Sequence, residues 1–584
     1  MDRNSSTYRL QSGLKESGIF LLLLCLLLSA CEDLLDPKVE TRLTENFATI
    51  SYNNTLARSI ALYTYLPDGL SYIDGAMMAS ASDEAEHTLE TALIQKFNAG
   101  SWNAIDNPDN GAWNRNFQGI YSVNLFLTES DSVNLDYLKS DPTESVQQDY
   151  RTRLENIKRW KYEARFLRAF YYFELIKRYG GVPLITEPVG LDYDFASVKR
   201  DSLSKCIQFI VSECDSAAAN LPSRTTDPAN NLGRAIKGSA LGLKCRTLLY
   251  AASDLFNSPG QWAAGYAHPE LIALEGKSRQ ERWEEAAAAC FEFIREVGSR
   301  YPLGDYEATA DYLSGEIILC RRYAASNAFE KANYPVGYDL GQSGTTPSQN
   351  QVDAYEMKDD GTPFDWNNPF HQADPYANRD PRLALSILTN NAKFKGRPVE
   401  AWTGGREGKG VTWGTKTGYF LLKYVNPELN LLQNRTSVHV WVIMRYSEIL
   451  LNYAEAMNEA FGPNNNNGYS MTALRAINQV RNRVEMPLIP NSITKEELRE
   501  RIRNERRVEL AFEDHRIWDV RRWMIAPETL GAPLRGVEIT KKEEGVFNYE
   551  PIEVEKRVFT PQMYLYPIPQ ADLNITTWAQ NPGW

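Results

Sequence analysis

The chain has 584 residues, of which 43% are hydrophobic and 24% charged, and its formal net charge is −12. That acidity excludes a general nucleic-acid or anionic-membrane surface, because polyanions repel it. The length suits several average domains or one repeat-built body with insertions.

At the N-terminus, Gly18 to Ala30 is almost wholly apolar and runs straight into Cys31. A membrane-spanning helix needs about 20 apolar residues, so this stretch is too short to span and reads as the core of a secretory signal. Residues 1–30 are therefore expected to be removed. Leu28-Ser29-Ala30-Cys31 resembles a bacterial lipobox, which makes Cys31 the expected lipid anchor and the lipid the expected link to a membrane.

Residues 31–111 are loop-rich in character. Helical periodicity then begins. Tyr162, Phe166, Ala169, Phe173 and Ile176 fall on one helical stripe, as do Leu241, Cys245, Leu248, Ala252 and Leu255, and Tyr446, Leu450, Tyr453, Met457 and Ala460. Further helices are predicted over about Ala112–Thr128, Asp201–Leu221, Trp283–Val297, Met471–Arg483 and Lys495–Phe512, the last opened by a Thr494/Glu497 capping box. Gly180-Gly181-Val182-Pro183 reads as a helix stop, not as a phosphate loop. Eight helices can pair into four hairpins of tetratricopeptide type, with repeats over 112–300 and 442–524. Between them, residues 301–441 are rich in Gly, Asn, Pro, Tyr and Trp with little helical period. A structureless loop of that length would be improbable, so an inserted lobe of short strands and turns is expected. Residues 525–584 form a C-terminal segment.

Cys206, Cys214, Cys245, Cys290 and Cys320 are odd in number at spacings that suggest no disulfide framework, so they read as small buried apolar residues. A single helix from Arg499 to Trp523 is expected to carry eight arginines among six carboxylates, an arrangement for intramolecular ion pairs. The five histidines are scattered with no HExxH, and neither a G-x-S-x-G nor a P-loop appears, so no metal, cofactor or catalytic constellation is read. A tertiary pair of carboxylates flanking a sugar remains open to a glycosidase.

Seven stretches carry a family resemblance. FYYFELIKRYGGVPL from Phe170, GRAIKGSALGLKCRTLLYAAS from Gly233, TPSQNQVDAYEM from Thr346, RYSEILLNYAEAMNE from Arg445, INQVRNR from Ile477, RNERRVELAFEDHRIWDVRRW from Arg503 and LYPIPQADLNITTWAQNPGW from Leu565 resemble, in order, signature blocks of SusD/RagB proteins. The resemblance implies a mainly α fold, with four helix pairs forming a right-handed superhelical scaffold beneath a loop-rich lobe. It implies a cell-surface lipoprotein, not an enzyme, that binds glycans and delivers them to a SusC-like TonB-dependent outer-membrane transporter. Some relatives take peptides, so an oligopeptide-binding protein is the alternative reading. Glu32-Asp33, just after the anchor, looks like a signal for the outer face of the outer membrane. Structural calcium is not indicated by the sequence.

A glycan site should combine exposed aromatic faces with amide and acidic side chains in loops. Two regions offer the mixture: Asp83, Glu84, Trp102, Asn103 and Asn107, and, in the lobe, Tyr334, Tyr338, Gln342, Trp366, Asn367, Trp402 and Trp413. Trp102 is the first choice, because the turn-forming run after it would leave its ring exposed. Trp113, on a helical face, reads as scaffold.

Overall fold

Eight helices stack in chain order in the computed structural model, which describes residues 51–190, 192–225, 231–257, 260–311 and 313–584. The signal and the Cys31 anchor lie outside the described residues. The helices are α1 (Asn110–Glu129), α2 (Glu144–Tyr179), α3 (Leu203–Asn220), α4 (Lys237–Ala252), α5 (Arg279–Glu296), α6 (Tyr446–Phe461), α7 (Ala473–Arg483) and α8 (Lys495–Glu509). Each of α1 to α7 packs on the next, and α8 packs on both α6 and α7. The stripes drive this stacking: Phe166, Ala169, Phe173 and Ile176 on α2 and Leu450, Tyr453 and Met457 on α6 are buried. Close approach needs small residues at the crossings. A Cβ on Gly119 of α1 would stand 2.8 Å from the Tyr171 ring of α2. α2 ends at Gly180, whose φ of 72° and contact with the Leu271 carbonyl admit no side chain. Thr494 and Glu497 close the capping box that opens α8.

The cysteine reading needs correction at one pair. Cys245 of α4 and Cys290 of α5 form a disulfide across 45 residues, whereas Cys206, Cys214 and Cys320 are free and buried. Only the packing of α4 against α5 brings the two together, so no local spacing announces the bond.

The single helix expected from Arg499 to Trp523 is also corrected. α8 stops at Glu509, a turn follows with Phe512 and Asp514 at φ of 61°, and a short α9 covers Arg516–Arg522. The N-terminal segment holds this turn. Glu84 accepts the Phe512 N–H at 2.9 Å, and Asp83 accepts the Arg516 guanidinium at 2.8 and 2.9 Å.

The lobe is inserted between α5 and α6, the two helices of the third hairpin. Its root is a two-stranded antiparallel ribbon of β2 (Ile317–Arg322) and β4 (Val440–Arg445), which leads directly into α6. β1 (Ala85–His87) pairs with β3 (Thr345–Pro347), which joins the N-terminal segment to the lobe. The C-terminal segment adds a long hairpin, β5 (Leu534–Glu543) and β6 (Val546–Glu555), turning at Glu544-Gly545. It docks on the lobe at both ends of the loop 403–417: Thr403 N–H donates to Ile539 O, and Val537 N–H donates to Thr417 O, each at 2.9 Å.

Charge fastens the lobe to the helices. Arg445 is fully buried and contacts Glu316, Glu509 and Glu513 at 2.8, 2.6 and 2.8 Å. Arg382 contacts Asp380, Glu505 and Glu509, and Arg481 bridges Glu356 and Glu505. Buried charge also ties helix to helix, Arg506 of α8 to Asp519 of α9 at 2.9 Å and Arg522 of α9 to Glu455 of α6 at 2.5 Å.

Candidate functional site

The two-residue turn of the β5–β6 hairpin and the alternation along β6 present Phe547 and Tyr549 on one face. Opposite them stand Tyr376, just past the short helix Pro369–Ala373, and the turn Thr389–Ala392. Together they wall an open trench of about 470 Å³. Tyr376 meets Tyr549 edge-on with ring centroids 5.3 Å apart, and its hydroxyl donates to Tyr419 at 3.3 Å. Asn390 donates to the Tyr549 hydroxyl at 3.3 Å while its own carbonyl accepts the Ala401 N–H at 3.2 Å. Trp402 packs on Phe547 at 5.3 Å, and the Lys541 ammonium lies 5.0 Å over the Trp402 ring. Burial pushes the Tyr376 and Tyr549 phenols up, so both are neutral hydrogen-bonding groups across the physiological range. The result is a set of half-exposed aromatic faces edged by amides, which suits a ligand with both C–H faces and hydroxyls.

The sequence-predicted residues divide sharply. Trp402 is half-buried and packs on Phe547 of the trench wall but does not itself line the trench. Trp413, 48% exposed, sits in the 403–417 loop with φ of 60°. Trp366 is half-buried and donates to Asp353 at 3.0 Å; Asn367 and Gln342 are exposed.

Trp102 is corrected. It is 4% exposed and enclosed by Phe97, Tyr566 and Trp584 at 5.1, 5.2 and 4.7 Å. The polar run around it does turn, with Asn103 accepting the Ile105 N–H and Asn107 the Asp109 N–H, both at 2.9 Å. Those local bonds satisfy the backbone, which leaves the ring to the core.

Tyr334 and Tyr338 are likewise sealed in. The Tyr334 hydroxyl donates to Leu429 O at 3.0 Å, and the Arg397 guanidinium covers the Tyr338 ring at 3.5 Å. Asp83 and Glu84 are buried supports of the 510–515 turn. Burial opposes the Asp83 charge, but Arg507 and Arg516 outweigh it and hold that carboxyl well below its usual range. Burial pushes Glu84 up to about 7, and the neighbouring Asp83 charge adds to the rise. Trp113 is buried against Tyr179 at 4.8 Å.

Sequence reading missed Tyr376, Phe547 and Tyr549. A signal for the last two was present in the alternation Phe547-Asn548-Tyr549-Glu550 after a Glu-Gly turn, a hairpin pattern. Among the described residues no group of three His, Cys, Asp or Glu side chains is placed to hold a metal ion, and no helix is long and apolar enough to cross a membrane.

Stacked helix pairs carrying an inserted lobe and an aromatic trench define a helical-repeat scaffold with a loop-built binding face. Comparison with known proteins gives that class its family. The model described as "SusD family" matches residues 315–584, and one described as "Starch-binding associating with outer membrane" matches residues 40–249. SusD-like protein P38 of Formosa agariphila is 25% identical over 388 residues, which cover 64% of this chain and 68% of that protein. The crystal structure of a SusD-like protein from Bacteroides fragilis superposes with a TM-score of 0.73 at 26% identity, covering 92% of this chain and 98% of that one. A SusD-like carbohydrate-binding protein of the same species gives 0.72 at 27%, covering 91% and 99%. The chain belongs to the SusD/RagB family.

Proposed function

We propose that this protein captures glycans at the bacterial cell surface and hands them to a SusC-like TonB-dependent transporter, held to the outer membrane by lipid on Cys31. The observation that carries the reading is the trench, with aromatic faces from Tyr376, Phe547 and Tyr549 beside Asn390 and Asn391, and with Trp402 packed on Phe547. Trp413, Gln342, Trp366 and Asn367, on other loops of the lobe, serve as further contacts in this reading. The carbohydrate-binding relative in B. fragilis and the outer-membrane association in the matched family description support ligand class and location. Asp374 is the one carboxylate among the residues lining the trench, whereas glycoside hydrolysis ordinarily takes two, which favours binding over turnover. The transporter partner rests on the family resemblance.

The test is calorimetric titration of the soluble chain beginning after Cys31 against glycan and peptide panels. Trp402→Ala and Tyr549→Ala are each expected to cost about 2 kcal/mol, or about thirtyfold in Kd, with the bound glycan. Folded variants that bind like the parent, or a chain that takes peptides and no glycan, would overturn the reading.

A further inference from the structure

The aromatic trench has a neighbour across one turn of backbone. Thr389 to Ala392 line the trench, and the residues that bracket them, Leu388 and Lys393, line a second depression of about 990 Å³ at the root of the lobe. Consecutive Cα atoms are about 3.8 Å apart, so the backbone between the two linings is only a few residues long. Both volumes lie within or near the range of about 300–1,000 Å³ typical of small-ligand sites.

The second depression is built from the same kinds of group. Tyr424 supplies half-buried aromatic surface, while Tyr306 lines the wall almost fully buried. The Tyr306 hydroxyl is fixed 3.1 Å from Ser386 Oγ and accepts the Lys423 ammonium at 3.1 Å. Tyr424 is held at φ of 67° with its ring 5.4 Å from that of Trp441. A bulky residue keeps this left-handed backbone only where its surroundings over-determine it, so the ring is fixed in advance. Amides supply the hydrogen-bonding edge. Asn426 accepts the Glu428 N–H and Asn430 the Gln433 N–H, each at 3.0 Å, and neither amide nitrogen has a protein acceptor among the described residues. The far wall is pinned too, because Lys395 donates to Leu429 O at 2.7 Å.

The charges around the lining are mixed. Lys393 and Lys395 line the depression together with Glu307, Asp311 and Glu428, while Lys395 pairs with Asp339 at 3.4 Å and Lys423 with Glu513 at 2.6 Å. Such a lining offers a polyanion no net attraction. It suits a neutral, hydroxyl-rich chain.

We propose that this depression is a second carbohydrate subsite, continuous with the trench over the Thr389–Ala392 turn, so that the protein selects long neutral glycan chains over short ones. The inference rests on the glycan reading of the trench and adds chain length to it. Once the trench holds one end of a chain, binding at the second subsite is intramolecular, which is worth about a hundredfold or more in affinity when the geometry permits both contacts.

The experiment titrates the soluble chain with short and long members of neutral ladders: malto-, cello-, laminari- and manno-oligosaccharides. On at least one ladder the long member should bind about a hundredfold more tightly than the short one. Asn426→Asp with Asn430→Asp keeps an acceptor oxygen for each backbone N–H, removes the amide donors and adds a negative charge at each position, so Asn426→Ser with Asn430→Ser, which adds no charge, is measured beside it. Each double variant should lose the advantage of length while binding the short member like the parent. Tyr549→Ala should weaken both. Hydrogen exchange offers a readout without mutation, since residues 422–430 should gain protection with the long member and not with the short.

Length-independent affinity together with a Tyr549→Ala defect overturns the second subsite and leaves the trench standing. The same holds if either double variant binds the long member like the parent. No binding on any ladder overturns both.

Discussion

Helices α1 to α8 meet one another mainly through apolar stripes, whereas the lobe meets them through charge. On α2, Phe166, Ala169, Phe173 and Ile176 bury their side chains against neighbouring helices, and any residue of similar size and polarity could serve there. At the root of the lobe, Arg445 bridges three carboxylates from two regions of the chain, Glu316 on one side and Glu509 and Glu513 on the other, in a network shared with Arg382, Arg483 and Lys423. Apolar packing is tolerant and non-directional, while a forked guanidinium accepts only a narrow geometry. The scaffold can therefore be described by pattern, but the seating of the lobe is set by particular partners.

The sharpest way to break that contrast is Arg445→Met, which takes one cation from each of three buried carboxylates and leaves Glu316 to Arg483, Glu509 to Arg382 and Arg483, and Glu513 to Lys423. A loss of about 5 kcal/mol is expected, at the upper end for breaking a buried ion pair. It would be read from urea unfolding of the soluble chain. An unchanged midpoint would show that charge does not hold the lobe.

Next in size is the aromatic that sequence placed on the surface. Trp102→Ala should cost about 3–4 kcal/mol of stability because it opens a core cavity, while Trp413→Ala, on an exposed ring, should stay within about 0.5 kcal/mol. Thermal melts of the two proteins side by side would decide it, and equal melting points would contradict the burial described for Trp102.

Within the scaffold, the Cys245–Cys290 bond ties α4 to α5, and Cys290→Ser is expected to cost about 3 kcal/mol, in the usual range for a disulfide closing a loop of this length. Alkylation of the soluble chain under denaturing, non-reducing conditions should label Cys206, Cys214 and Cys320 alone. Label on Cys245 or Cys290 would remove the staple.

The smallest effect concerns Glu84, where the N-terminal segment meets the 510–515 turn. Its folded pKa of about 7 lies above the ordinary value of 4.5, chiefly through burial, so the folded protein keeps a proton that the unfolded chain gives up. The stabilisation that proton provides is complete below pH 4.5 and is lost as pH rises through 7. Glu84→Gln mimics the protonated form at every pH. Relative to the parent, the variant should gain at least about 1 kcal/mol between pH 5 and pH 8. Asp514, pushed up to about 8 by burial with the Glu84 charge adding to the rise, titrates near the same window, so the difference reports Glu84 together with its effect on Asp514. A difference between variant and parent that does not change with pH would mean that Glu84 is ionised throughout.

Local pattern by itself determined the eight helices, the capping box at Thr494, the stop at Gly180 and, through seven ordered blocks, the family. Each of these depends on residues within a few turns of one another, so a period of 3.6 or a fixed short spacing is enough to specify it. Only the tertiary structure decided the rest. Cys245 finds Cys290 because two helices pack, the long C-terminal helix breaks at Phe512 because Glu84 and Asp83 reach it from more than 400 residues away, and Trp102 is buried because Phe97, Tyr566 and Trp584 close around it. The trench is of this second kind, since Tyr376 and Tyr549 belong to segments far apart in sequence whose rings meet only after the hairpin docks on the lobe. A side chain's exposure depends on what long-range neighbours cover it, and that information is not carried by the residues beside it in the chain.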